Sequence, residues 1–99
     1  MYIEWLKFWV QPELRSQFIQ HDERIWTQAL SQNPAFVRKE IWLNPDQADE
    51  VIAVIHWSDR LQWKAIPAAE LAQIEHNFQT ALGEGVYRLL EAKEYELGG

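Results

Sequence analysis

Few side chains in this sequence can do acid–base or ligand chemistry, and their spacing restricts what they can do together. There are three histidines, six tryptophans and no cysteine. Without cysteine, disulfides, iron–sulfur clusters, thiolate zinc sites and a thiol nucleophile are all removed at once. His21, Asp22 and Glu23 are adjacent, so on a helix they diverge by about 100° per residue and cannot chelate one ion. Neither a His-x-x-x-His nor a Glu-x-x-His spacing occurs, so no metal site is expected. Ser16, Ser31 and Ser58 lie outside any Gly-x-Ser-x-Gly elbow, and no glycine-rich phosphate loop is present. Proton chemistry is therefore left to histidine and carboxylates. His21 lies on the flank of a helical apolar stripe, which suits a boundary histidine or one leaning into a pocket. His56 alternates with Ile52 and Val54 on an apolar strand, as a structural histidine or a proton shuttle would.

The aromatic residues fall into two further groups. Trp57 and Trp63 lie where an apolar strand gives way to a helical region, and Phe78 falls on the apolar line of the next helix. These three are the candidate ligand-binding residues, since aromatic walls suit a small, flat, apolar ligand, although core packing accounts for the same residues. Trp5, Lys7 and Trp9 share one side of a strand, and Phe36, Arg38, Glu40 and Trp42 alternate along another. Trp5, Trp9, Phe36 and Trp42 are thus candidates for a dimer interface, a surface that favours aromatics and Arg. In that setting Lys7 or Arg38 would pair with Glu40; otherwise Arg38 and Glu40 face solvent on a sheet edge.

The elements that must position these residues are legible from period and punctuation. Residues 2–10 are apolar on both alternating faces and read as a strand covered on both sides. Pro12 opens a helix carrying Leu14, Phe18, Ile25 and Ala29, widened by Ile19, Trp26 and Leu30, and Asn33-Pro34 stops it. Phe36–Leu43 and Val51–Trp57 form a hairpin around Asn44-Pro45-Asp46, the second strand being central. Ser58 and Asp59 cap a short helical segment holding Leu61 and Trp63, interrupted by Pro67. Glu70–Leu82 is the second main helix, with Leu71, Ile74, Phe78 and Leu82 in line, ended by Gly83 and Gly85. Val86–Leu97 is the last strand, and residues 98–99 are expected to fray.

Strand, helix, strand, strand, helix, strand is the order of an α+β ferredoxin-like sandwich, a four-stranded antiparallel sheet with its helices on one face. The chain of 99 residues is expected to be one domain over residues 1–97. A net charge of −6 and scattered Lys and Arg argue against nucleic-acid and membrane surfaces. No apolar run approaches the ~20 residues of a membrane span, and no signal peptide is evident, so the expected location is the cytoplasm. The sheet face without helices exposes large apolar side chains, an association surface that a second copy about a two-fold axis would cover.

The element order, the length, the run Val54-Ile55-His56-Trp57-Ser58-Asp59 and the following Trp63 resemble the dimeric α+β barrel superfamily, which includes antibiotic-biosynthesis monooxygenases and haem-degrading monooxygenases. More narrowly, residues 1–97 resemble a family of short, largely cyanobacterial proteins of unassigned activity. The resemblance implies a homodimer with two sheets face to face and a pocket between sheet and helices in each subunit. It implies either oxidation of quinone-like aromatics without metal or flavin, or haem binding. For haem degradation Trp63 matches the required Trp and His76 lies on the element that carries the required His. The first-strand Asn has no counterpart, since asparagine occurs only at Asn33, Asn44 and Asn77. His76 also falls about 140° from Leu71 around its helix, away from the line of Ile74, Phe78 and Leu82, which speaks against haem.

The functional expectation is a homodimer with an aromatic-lined pocket, requiring no cofactor, that resembles cofactor-independent monooxygenases. In it Trp57 and Trp63 position substrate and His21 or His56 handles a proton. The contrasting expectation is a non-catalytic dimeric binding or interaction module whose aromatics build core and interface.

Overall fold

The computed structural model describes residues 1–99. Its strands are β1 (Tyr2–Val10), β2 (Phe36–Leu43), β3 (Glu50–Trp57) and β4 (Tyr87–Glu96). They form one antiparallel sheet in the order β2-β3-β1-β4. The two strands richest in apolar residues, β1 and β3, are thus the central pair, where both edges are flanked by neighbouring strands. The helices α1 (Arg15–His21), α2 (Gln28–Leu30), α3 (Arg60–Lys64) and α4 (Ala68–Leu82) lie on one face, giving a ferredoxin-like α+β fold.

Register decides which side chains look toward the helices. Leu6 is opposite Ala53 and Ala92, and Glu4 is opposite Ile55 and Glu94. Alternation therefore puts Tyr2, Glu4, Leu6, Phe8 and Val10 on the helix side and Ile3, Trp5, Lys7 and Trp9 on the open side. On β2 the alternation expected from the sequence breaks, because the register shifts between Phe36 and Arg38. Arg38, Glu40 and Trp42 stay on the open face, whereas Phe36 packs edge-on against Trp57 at 5.8 Å, in the helix-side core. Phe36 is therefore separated from the other three aromatics of the expected interface group.

The first helical run is also less regular than its sequence period suggests. A 3-10 turn (Pro12–Leu14) leads into α1, and a π-helical stretch (Asp22–Thr27) separates α1 from α2. Over twelve residues a pure α-helix would carry positions four apart steadily round the axis, about 40° per step. The wider π turn rotates less per residue and resets that drift. Asp22 follows Phe18 by one ordinary α turn, its N–H bonded to the Phe18 carbonyl, and the π turn after it keeps Leu30 on the same side, so that all three are buried with Trp26 partly buried between them. Asp59 caps α3 by accepting a hydrogen bond from the Gln62 backbone N–H at 3.0 Å; in α3 Trp63 is buried while Leu61 is exposed. Helix α4 starts at Ala68, immediately after Pro67, and ends at Gly83, whose φ of 95° suits a residue without a Cβ.

Two apolar clusters hold the layers together. Leu30, Ala35, Ile55, Trp57 and Trp63 make one; Val10, Phe18, Val51 and Phe78 make the other. Phe18 is the hub of the second, 5.4 Å from Phe8, 5.3 Å from Phe78 and 5.4 Å from Tyr87 between ring centroids. Truncating it removes the contacts that join α1 to α4 and to the sheet. Phe18→Ala is expected to cost about 3–5 kcal/mol. Urea denaturation checks this, the midpoint falling while the slope stays unchanged.

Candidate functional site

A cavity of about 830 Å³ lies between the sheet and the helices, lined from both apolar clusters. That volume is in the range of small-molecule sites. Its apolar walls include Leu6, Phe8, Ile55, Trp57, Trp63 and Phe78, and exposed residues at the turn from α4 to β4, among them Gln79, Glu84 and Arg88, contribute to its lining. Trp57 and Trp63 stack with their ring planes 3° apart and centroids 5.7 Å apart. Lys64 places its ammonium 4.4 Å from the Trp63 ring centroid. Trp57, Trp63 and Phe78 thus come together at one cavity.

Besides the exposed Glu84, three carboxylates reach this apolar space, each satisfied differently. Glu75 on α4 is saturated: Trp26 Nε1–H donates to Oε1 at 3.2 Å and the Tyr87 hydroxyl donates to Oε2 at 2.7 Å. Burial, reinforced by this hydrogen bond to a carboxylate, pushes the Tyr87 hydroxyl well above its ordinary pKa, so it remains a donor. Asp22, one ordinary α turn after Phe18, forms an ion pair with Lys39 Nζ at 2.6 Å, both side chains being nearly inaccessible to solvent. Glu4 accepts one hydrogen bond, from Trp57 Nε1–H to Oε1 at 3.3 Å. Burial raises the pKa of Glu4, with the Trp57 donor and the charges of Lys64 and Lys39 pulling it back. Burial likewise raises Asp22, against the pull of Lys39. Glu4 and Asp22 thus each keep an oxygen without a hydrogen-bond partner and each have a raised proton affinity, but Glu4 alone of the two is not held in an ion pair.

The histidines lie elsewhere. His56 projects from β3 to the open side of the sheet, where Nε2 is 2.6 Å from Glu40 Oε1 and Nδ1 is buried without a partner. Its neighbours Ile55 and Trp57 face the cavity, so strand alternation alone keeps His56 out. The His21 ring nitrogen Nδ1 is 2.8 Å from Arg24 Nη2 on the outside of the helical run, and His76 is exposed on α4. No histidine lines the cavity, so His21, His56 and His76 are not brought to the aromatic residues there. On the open face Trp5 lies under the Lys93 ammonium at 5.2 Å and Trp9 under the Arg88 guanidinium at 5.5 Å. Trp42 remains 48 % exposed. Lys7 pairs with Glu50 at 3.3 Å, and Glu40 is engaged by His56, with Arg38 at 3.9 Å.

The residues that sequence reasoning passed over are Glu4, Lys39, Asp22, Glu75 and Tyr87. Two left a signal. Glu4 shares its alternation with Tyr2, Leu6 and Phe8, and Lys39 shares its own with Ile41 and Leu43, so each is a lone charge within an apolar strand face.

No protein-family model and no curated protein matches this chain. Solved structures do match it along its whole length. SnoaB from Streptomyces nogalater, a cofactor-independent oxygenase, superposes with a TM-score of 0.72 at 19 % identity, covering 99 % of this chain and 93 % of that one. HapK from Hahella chejuensis gives 0.74 at 18 % identity, with 100 % and 95 % covered. The ActVA-Orf6 monooxygenase of Streptomyces coelicolor, solved with the ligand Nanaomycin D, gives 0.74 at 13 % identity, with 99 % and 88 % covered. At these identities the likeness is one of fold.

The Glu4 environment has a definite sign in pH. Its carboxyl is ionised in the unfolded chain above its ordinary value of 4.5, while the folded state resists ionisation to a higher pH. The stability tied to the neutral group is thus fully present below 4.5 and is lost as pH rises through the folded value. Glu4→Gln removes that loss, so its stability relative to wild type is expected to grow between about pH 4 and pH 8. Urea midpoints across this range check it; a difference that does not change with pH would contradict the assignment.

Proposed function

We propose that this protein is a cytoplasmic homodimeric oxygenase that needs no cofactor and acts on a flat, hydroxylated aromatic bound in the sheet–helix cavity. The observation that carries the reading is Glu4, a buried carboxylate with one oxygen held by the Trp57 indole and the other uncommitted, inside a cavity with aromatic walls. The fold shared with a cofactor-independent oxygenase supports it.

In this reading the ring system seats against Trp63, Trp57 and Phe78. Glu4, as carboxylate, takes the proton of the substrate hydroxyl, the step earlier expected of a histidine. A base whose proton affinity is raised toward the working pH is the more effective one. The resulting electron-rich anion reduces dioxygen. The substrate gives up its hydroxyl hydrogen and one ring hydrogen, and one oxygen atom enters the ring as a second carbonyl. The other oxygen atom leaves with both hydrogens as water. All electrons come from the substrate, so no external reductant is required.

Oxygen consumption in the presence of a panel of hydroxyarenes tests this. Wild type is expected to take up one dioxygen per quinone formed, and Glu4→Gln to lose about 10²–10⁴-fold in rate. Trp63→Ala should raise KM more than it lowers kcat, because it removes a wall and not the base. Ligand binding without oxygen uptake across the panel would instead assign the cavity to a non-catalytic binding module.

The homodimer rests on the open sheet face, which carries Trp5, Trp9, Trp42 and Tyr95, the last two 48 % and 51 % exposed. Such a surface suits a self-complementary two-fold contact. Sedimentation is expected to give a dimer at micromolar concentration and a dissociation constant at least about tenfold higher for Trp42→Ala. A monomeric wild type, or an unchanged constant, would remove the idea.

A further inference from the structure

Lys39 and Asp22 form a buried ion pair at the cavity, on the side away from Glu4. Lys39 is opposite Ile55, and Ile55 is opposite Glu4, so the three side chains stand in one row across the helix side of the sheet. Lys39 and Glu4 are therefore two strand spacings apart, roughly 10 Å between backbones, with an apolar floor between them. All three line the cavity.

Such a pair is poorly explained by stability alone. Desolvating an ammonium and a carboxylate offsets most of their attraction, and apolar replacements of buried pairs are often neutral or stabilising. The ammonium carries three donors, and Asp22 takes one. Asp22 is presented by a π-helical stretch, a feature frequent at functional sites. A flat ring lying over Ile55 would bring one edge to Glu4 and the opposite edge to Lys39.

We propose that Lys39, held by Asp22, determines specificity by binding an acceptor oxygen, carbonyl or carboxylate, on the ligand edge opposite the hydroxyl that faces Glu4. This rests on the proposed use of the cavity and narrows its substrate class. The ligand is a flat ring system polar at both ends, with a hydroxyl at one and an acceptor oxygen at the other. A ring with a hydroxyl alone satisfies only the Glu4 end.

Calorimetric titration with two probes tests this without any oxygen chemistry. 6-Hydroxy-2-naphthoate carries a hydroxyl and a carboxylate at opposite ends of a naphthalene ring, and 2-naphthol carries the hydroxyl alone. Wild type is expected to bind the first at least about tenfold more tightly. Lys39→Met alone strands Asp22 as an unpaired buried charge, so the informative variant is Lys39→Met with Asp22→Leu, which removes the pair together. That double variant is expected to bind both probes equally, and Lys39→Arg to keep the preference. Equal affinities in wild type, or a preference surviving in the double variant, would overturn the role of Lys39 while leaving the oxygen-uptake result untouched. If neither probe binds wild type, the ligand-binding reading of the cavity falls with it.

Discussion

Trp57 is the point on which the rest of the molecule turns. A fully buried indole must find an acceptor for its N–H, and in an apolar sheet–helix interface few are on offer. Glu4, on the adjacent strand, supplies it. That single contact obliges a carboxylate to sit in the interior and raises its proton affinity through burial. The Trp57 ring meanwhile stacks on Trp63 and receives the edge of Phe36, joining β3 to α3 and to β2. The same residue therefore anchors the core and equips the cavity.

Around that anchor the interior charges are arranged so that they do not compete. Glu75 is occupied by two donors from the π stretch and β4, and it ties those elements across α4. Asp22 is neutralised by Lys39 at the β2 side. Glu4 lies between, with its uncommitted oxygen. Groups of the same chemistry placed in different environments take different roles, and an acid–base assignment follows from which one remains free. The open side of the sheet carries its own polar set, His56 with Glu40 and Lys7 with Glu50, isolated from the cavity by the thickness of the sheet.

Much of the architecture was readable from period and punctuation because those signals are local. The apolar run Val51–Trp57 marked β3 as central, Pro12 and Asn33-Pro34 bracketed the first helical run, and Gly83 marked the end of α4, whereas residues 2–10, expected to be covered on both faces, have helices on one. Trp57 and Trp63 were likewise located where a strand gives way to a helical region, while the pocket beside them was an expectation from the family resemblance. What escaped was non-local or geometrically irregular. A bulge at the start of β2 moved Phe36 from the open face to the core, and Asp22, one α turn after Phe18, met its partner in Lys39 of the remote β2. His56 was recognised as a strand residue, but its side of the sheet became decisive only once the cavity was known to lie on the other.

The chain by itself determined the order of elements, the central position of the apolar strands and the excess of aromatic surface, since these follow from hydrophobic period and from residues that start or stop helices. It also holds Glu4 and Lys39 as lone charges on apolar strand faces, a signal that the reading of the sequence passed over. Tertiary structure alone decided that these two face each other across Ile55, that no histidine lines the cavity, and that Glu4 keeps a free oxygen. The reason is physical: a strand face is set by local alternation, but the partner that desolvates, neutralises or leaves unsatisfied a given charge comes from strands and helices remote in sequence.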